Sequence, residues 1–255
     1  MNIDKYLERI NYKGSTSPNL DNLRSIHKNH LYNIPFENLD IHSNKKIILD
    51  TEKLEEKILS SKRGGYCYEL NGIFYALLNE MGYKVKMVSA RVNNGKGSWG
   101  DEFDHMALVI ELDDLWLADV GFGDNFIEPI TIALIKPQKN LNGWFKISKY
   151  EDESVNGDYL LMSRSADNSD YSGEYIFKLD NRDWNEFEGM NEFHQTSPDS
   201  HFTRGRVCSI AKEGGRVTLN DNKLTITQGD KKIITEVNSE IEFNRKLYEY
   251  FKIEI

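Results

Sequence analysis

The sequence predicts an α+β fold in which helices come first, strands follow and a mixed segment closes the chain. Three observations carry this. Apolar residues recur at helical spacing up to Met81, short β-branched runs replace them from Lys84, and the two patterns do not alternate. Alternation would have marked a doubly wound parallel sheet. At 255 residues the chain is long enough for one large domain or two to three small ones packed together. No internal repeat or low-complexity linker divides it.

The N-terminal part reads as helical. Ser17-Pro18 predicts an N-cap followed by proline at the first helical position. Leu20, Leu23, Ile26, His27, His30 and Leu31 then keep helical spacing until Pro35. Asp50 is placed to cap a second helix, with Leu54, Ile58 and Leu59 inward. The clearest stripe is Leu70, Ile73, Phe74, Leu77, Leu78 and Met81, a face that packs on a core. Gly82 is a natural stop. Cys67 falls at the start of this helix, after the turn Arg63-Gly64-Gly65.

Strands then take over: residues 84–91, 105–112 and 115–120, with a glycine-rich loop over 93–100. Weaker strands continue to about residue 180, and a short helix is predicted from Trp184 to Glu192. Arg216 to Val237 reads as strands joined by turns at Asn220-Asp221-Asn222 and Gln228-Gly229-Asp230. Ser239 caps a last helix carrying Ile241, Phe243, Leu247 and Phe251.

Bulk properties exclude several function classes. No apolar run is long enough to cross a bilayer, and the charged N-terminus lacks a signal-peptide core, so a cytoplasmic location is expected. Net charge is −9, which opposes a broad nucleic-acid-binding face but not a local basic pocket for a phosphate-bearing ligand. The two cysteines, Cys67 and Cys208, lack the spacing of a zinc site, so no metal is expected.

Chemistry centres on Cys67. A helix N-terminus offers free N–H groups and a positive dipole end, both of which favour a thiolate. The N–H groups of Cys67 and Tyr68 are placed to act as oxyanion donors. From position alone, a structural thiol is an equal reading. Cys208 sits inside an apparent strand and reads as structural. Among six histidines, His27 and His30 read as packing or surface residues on the first helix, while His105 opens a strand beside a loop. Asp119 follows Leu115-Trp116-Leu117-Ala118, an apolar context in which an acid needs a partner. Asp104 and Asp124 are its rivals; Asp104 points to the opposite face from His105, and Asp124 lies past the glycines.

Strand geometry adds a condition. A two-residue turn at Asp113-Asp114 would pair Leu108 with Asp119 and put His105 and Asp119 on opposite faces. A three-residue turn or a bulge places Asp119 opposite Ala107 and diagonal to His105, within side-chain reach.

Four motifs in order resemble the arylamine N-acetyltransferases. They are Ile34-Pro35-Phe36-Glu37-Asn38-Leu39-Asp40, Arg63-Gly64-Gly65-Tyr66-Cys67-Tyr68-Glu69-Leu70-Asn71, Asp104-His105 with Asp119-Val120-Gly121-Phe122-Gly123, and Ser197-Pro198 with Ser200-His201-Phe202. The resemblance spans nearly the whole chain. It implies a helical bundle over residues 1–83, an antiparallel β-barrel over 84–195 and an α/β lid over 196–255. It implies a Cys67-His105-Asp119 triad of papain-like type and ping-pong transfer of acetyl from acetyl-CoA to an aromatic amine, hydrazine or N-hydroxyarylamine. It also implies an amine pocket from Phe36, Tyr68, Val92, Phe122 and Phe202, and passage of the donor's pantetheine arm by Gly121 and Gly123. Arg204, Arg206, Lys212 and Arg216 form the nearest basic cluster for CoA phosphates. Lack of a long insertion after the barrel resembles bacterial members. Thiol hydrolases and transglutaminase-like enzymes share the constellation and remain the alternative, as does a non-catalytic binding relative. The acceptor amine and the oligomeric state are not specified by the sequence.

Overall fold

The computed structural model describes residues 1–95, 97–124, 126–133, 136–151, 159–164 and 170–255. Lys96 of the predicted glycine-rich loop, and parts of the weaker strands before residue 180, lie outside the described residues.

Helices α1 (Ile3–Arg9) and α2 (Leu20–Asn33) lead into a two-residue strand β1 (Phe36–Glu37). The cap of α2 is Asn19, not Ser17: its side chain accepts from the Asn22 N–H, which starts the helix after Pro18 rather than with it. Short helices α3 (Leu39–His42) and α4 (Thr51–Leu54) follow, and α4 runs into a π-turn, Glu55–Ser60. Asp50 caps α4 as expected, accepting from the Glu52 and Lys53 N–H groups. Helix α5 (Cys67–Glu80) is the one with the clear apolar stripe, and Cys67 is its first residue.

Eight antiparallel strands then form a nearly closed barrel: β2 (Lys84–Val92), β3 (His105–Glu111), β4 (Leu115–Ala118), β5 (Ile130–Thr131), β6 (Gln138–Asn140), β7 (Gly143–Lys149), β8 (Tyr159–Arg164) and β9 (Ser172–Phe177). Their order is β5-β4-β3-β2-β9-β8-β7-β6. At the seam the side-chain amide of Gln138 exchanges two hydrogen bonds with the Thr131 backbone, at 2.9 and 2.8 Å, in place of a ladder. Helix α6 (Glu188–Thr196), preceded by a 3₁₀ turn at Trp184–Phe187, leads to the last unit. There β10 (Val207–Lys212), β11 (Gly215–Asn220), β12 (Lys223–Gln228) and β13 (Lys231–Glu236) form a sheet backed by α7 (Glu240–Phe251), and β1 joins it beside β10.

Strand β3 explains how two cores meet. Met106, Leu108 and Ile110 pack with the helical cluster, whereas Ala107 and Val109 face the barrel interior. The period-2 pleat therefore places His105 on the interior side. The β3–β4 register pairs Glu111 with Leu115 and Leu108 with Ala118, so Leu112-Asp113-Asp114 is a three-residue turn. The geometric condition for an Asp119–His105 pair is met.

Candidate active site

Cys67 is held by what lies before it. The Glu69 carboxylate reaches back to the Tyr66 N–H at 3.1 Å, closing the helix start. Lys57 bridges Glu69 at 2.7 Å and Asp40 at 2.8 Å, and Arg63 joins Asp40 to the buried Glu37. Burial pushes the Glu69 carboxyl up to about 7, against the pull of Lys57. This network ties the segment around Glu37 to the turn preceding Cys67. Gly64 has no room for a side chain, since a Cβ there would sit 1.9 Å from the Pro35 carbonyl.

His105 and Asp119 meet across the hairpin, Nε2 to Oδ2 at 2.8 Å, both nearly inaccessible. The carboxylate only accepts, so His105 Nε2 carries the hydrogen. Asn71, one helical turn after Cys67 on the same face, donates to Asp119 Oδ1 at 2.9 Å and to the Met106 carbonyl. The Tyr175 hydroxyl, from β9, donates to Asp119 Oδ2 at 3.0 Å. The Gly121 N–H donates to Oδ1 at 3.0 Å. Burial works against the Asp119 charge, but His105, Asn71 and the Gly121 N–H hold its carboxyl below the ordinary carboxylate range.

The thiol differs from the expectation of a lowered pKa. Burial, together with the Asp104 and Asp119 carboxylates, pushes Cys67 well up, and the Tyr68 N–H pulls only partly against them. The helix-start effect is present but outweighed. A thiolate at this position therefore needs a base that takes the proton and stays beside it as a cation; His105 is the imidazole that shares its cavity.

Cys67 and His105 open onto one cavity of about 650 Å³. Phe36, Val92, Phe122 and Phe202 line it, as does Gly121. Tyr68 does not: its side chain turns into the core between Phe187 and His194, and its hydroxyl donates to the Phe103 carbonyl at 2.6 Å. Gly123 is also absent from the lining. At Gly121 the need for glycine comes from Cys67, because a Cβ would sit 2.8 Å from the Cys67 Cα and carbonyl oxygen. Of the expected basic cluster, Arg204 and Arg206 line the cavity, with Lys223 beside them. Arg206 is held by Asp221 and Glu240 over the Phe243 ring, and Arg216 pairs with Asp124. Cys208 is buried in the C-terminal core.

Four groups about the site escaped the sequence reading. Asn71 carried a signal, its spacing from Cys67. Tyr175 and His27 carried none, because their partners lie in distant elements. His194 Nε2 meets Asp104 Oδ1 at 3.4 Å, linking α6 to the start of β3.

With this geometry in hand, the comparisons decide the family. The N-acetyltransferase family profile matches residues 19–255. An Escherichia coli arylamine N-acetyltransferase is 31% identical over 226 residues, covering 88% of this chain and 78% of that protein. The chain belongs to the arylamine N-acetyltransferase family. A Salmonella typhimurium relative, an arylamine N-acetyltransferase and N-hydroxyarylamine O-acetyltransferase, is 30% identical over 86% of this chain and 77% of its own length. The solved arylamine N-acetyltransferase of Salmonella typhimurium superposes with TM-score 0.88 at 27% identity, covering 98% and 90% of the two chains. A Bacillus cereus arylamine N-acetyltransferase superposes with TM-score 0.91 at 27% identity over the full length of both. That enzyme has a Cys-His-Glu triad, whereas this family member carries Asp119 beside its histidine. Among the described residues no helix is long and apolar enough to cross a membrane, and no cluster of three His, Cys, Asp or Glu side chains is arranged to hold a metal ion.

Proposed function

We propose that this chain carries acetyl from acetyl-CoA to aromatic amines, hydrazines or N-hydroxyarylamines through a thioester on Cys67. The observation that carries the reading is the Asp119–His105 pair at 2.8 Å on the cavity that Cys67 lines. In the first half-reaction the Cys67 proton passes to His105 Nδ1 and the thiolate attacks the acetyl carbonyl. The first-turn N–H groups of Cys67 and Tyr68 steady the oxyanion. The CoA thiolate leaves and takes the proton from His105. In the second, the amine attacks the thioester, His105 accepts its proton, and Cys67 leaves as thiolate. Dividing the transfer in two gives each step a good leaving group. Asp119 holds the imidazole and stabilises its charged form.

Phe36, Val92, Phe122 and Phe202 offer apolar faces to a flat acceptor ring. Arg204 and Lys223 are the cations we assign to the CoA phosphates, since Arg206 is already engaged with two carboxylates. The two free thiols fit a reducing cytoplasm.

The test is mass spectrometry of the protein incubated with acetyl-CoA, together with turnover on a panel of arylamines and hydrazines. Wild type acquires one acetyl group on Cys67; Cys67→Ala acquires none and loses essentially all turnover. Turnover retained in that variant would end the reading. Replacing both Arg204 and Lys223 by Ala raises KM for acetyl-CoA roughly tenfold or more with kcat little changed, as expected for charges that contact only the donor's remote end. A fall in kcat without a rise in KM would reject that assignment.

A further inference from the structure

Beyond Ala118 the β3–β4 ladder ends, and side chains take its place. The Met106 carbonyl accepts from Asn71, and the Val120 N–H donates back to Asn71 at 2.9 Å. Asn71 thus stands between the two groups that a continued ladder would have joined, while the Asp119 N–H, on the strand's other side, donates to His27 Nε2 at 3.1 Å. His27 lies on α2, 92 residues away in the chain. Its other nitrogen, Nδ1, contacts the Ile127 carbonyl at 2.8 Å.

These partners fix the tautomer. A carbonyl only accepts, so Nδ1 carries the hydrogen; a backbone N–H only donates, so Nε2 is the lone pair. Both ring nitrogens are thus used on backbone groups of one segment, the stretch that leaves β4 and carries Gly121 and Phe122 to the cavity. The ring is fully buried, stacked on Phe126 at 5.8 Å and edge-on to Phe74. Burial lowers its pKa to about 4, so it stays neutral and keeps both roles at neutral pH. A buried ring needs partners for both nitrogens in any role; what distinguishes this one is that both partners are backbone groups of the segment bearing Asp119.

We infer that His27 is a positioning residue for the triad: one neutral imidazole ties Asp119 to Ile127 and so fixes where the Asp119 carboxylate meets His105. The inference rests on the acetyl-transfer reading, in which Asp119 orients His105. Small errors in such an orientation are costly in rate, since about 1 Å of misplacement removes on the order of a hundredfold.

The test compares three variants, each confirmed as folded by near-ultraviolet circular dichroism. His27→Leu keeps bulk and removes both hydrogen bonds. His27→Gln puts its amide oxygen near the Nε2 position and keeps an acceptor for Asp119. His27→Asn puts an amide N–H near the Nδ1 position and keeps only the bond to Ile127. The first readout is the rate at which iodoacetamide alkylates Cys67, which does not depend on acetyl-CoA being the substrate. The second is kcat and KM for acetyl-CoA. Expected are an alkylation rate and kcat falling in the order wild type, Gln, then Asn and Leu together. The loss in Leu is on the order of tenfold, and KM moves by less than about twofold. A folded Leu variant with wild-type alkylation and kcat overturns the inference. So does an Asn variant faster than Gln, and that pair decides the matter alone if Leu fails to fold. Wild type that alkylates in this pattern but never forms acetyl-Cys67 would instead overturn the acetyl-transfer reading.

Discussion

Asp119 accepts four hydrogen bonds: from Asn71 and the Gly121 N–H on Oδ1, and from His105 and Tyr175 on Oδ2. A carboxylate has about four lone-pair sites, so each is filled, and the charge is tolerated where water does not reach it. Tyr175→Phe removes one donor and little volume. Hydrogen bonds to charged groups contribute about 1.5–3 kcal/mol to stability, so the melting temperature should fall by several degrees, and kcat should fall as the Asp119 carboxylate loses a fixed partner. Steady-state kinetics beside a thermal melt checks this; unchanged kcat would make the hydroxyl a spectator. At this scale the sequence was legible where chemistry leaves a local mark. Cys67 stood at a helix start, and Asp119 was an acid in an apolar run. Tyr175 left no mark, because its meaning lies in a strand 56 residues from its partner. Tyr68 was expected in the pocket because it adjoins Cys67 in sequence, but it turns the other way on the helix, into the core.

The hairpin between His105 and Asp119 is where one residue of turn length decides function. The pairing of Glu111 with Leu115 leaves Leu112-Asp113-Asp114 as the turn and puts Asp119 diagonal to His105. The double substitution Asp113→Asn, Asp114→Gly favours a tight two-residue turn that pairs Leu112 with Leu115, which slips β4 by one. Every side chain of β4 then changes face, so Asp119 leaves the barrel side and buried Leu117 is driven out of it. The expected outcome is loss of acetyl transfer to the level of Cys67→Ala, with a lower melting temperature. A variant active with acetyl-CoA would show that the hairpin can re-register by another route. The condition on this turn was readable because strand pairing has a fixed period. The cap of α2 and the π-turn before Ser61 were not, since a choice among nearby polar caps, or one extra residue in a helical turn, is settled by packing. The buried network of Glu37, Asp40, Lys57, Arg63 and Glu69 was likewise invisible; its members look like ordinary surface charges until α4 and β1 converge.

Across the whole molecule, two neutral histidines are sealed between α2 and the rest. Burial lowers His27 to about 4, from an ordinary value of 6.5, and holds His30 well below that ordinary value too. Each is a base with a depressed folded pKa, so the unfolded chain takes up its proton first. The stability linked to it is complete above 6.5 and drains away as pH falls through about 4. For His27 this amounts to about 3 kcal/mol over that window. Urea midpoints at neutral and acid pH should therefore fall less in His27→Gln than in wild type, since His30 is common to both. Equal losses would remove His27 from the account. The order of helices, strands and mixed final segment was legible from periodicity, the barrel only from the family resemblance, and its seam from neither, because the Gln138 side chain makes it.

The groups that converge on Asp119 come from α2, α5, β3 and β9, with separations of 92, 48, 14 and 56 residues. No early fragment of the chain holds that set. During synthesis or refolding, helices form from local contacts long before distant strands meet. Reactivity at Cys67 is therefore a late arrival, reached only after β9 has docked. Recovery of the thiol's activated state times a late, long-range step of folding rather than the first collapse.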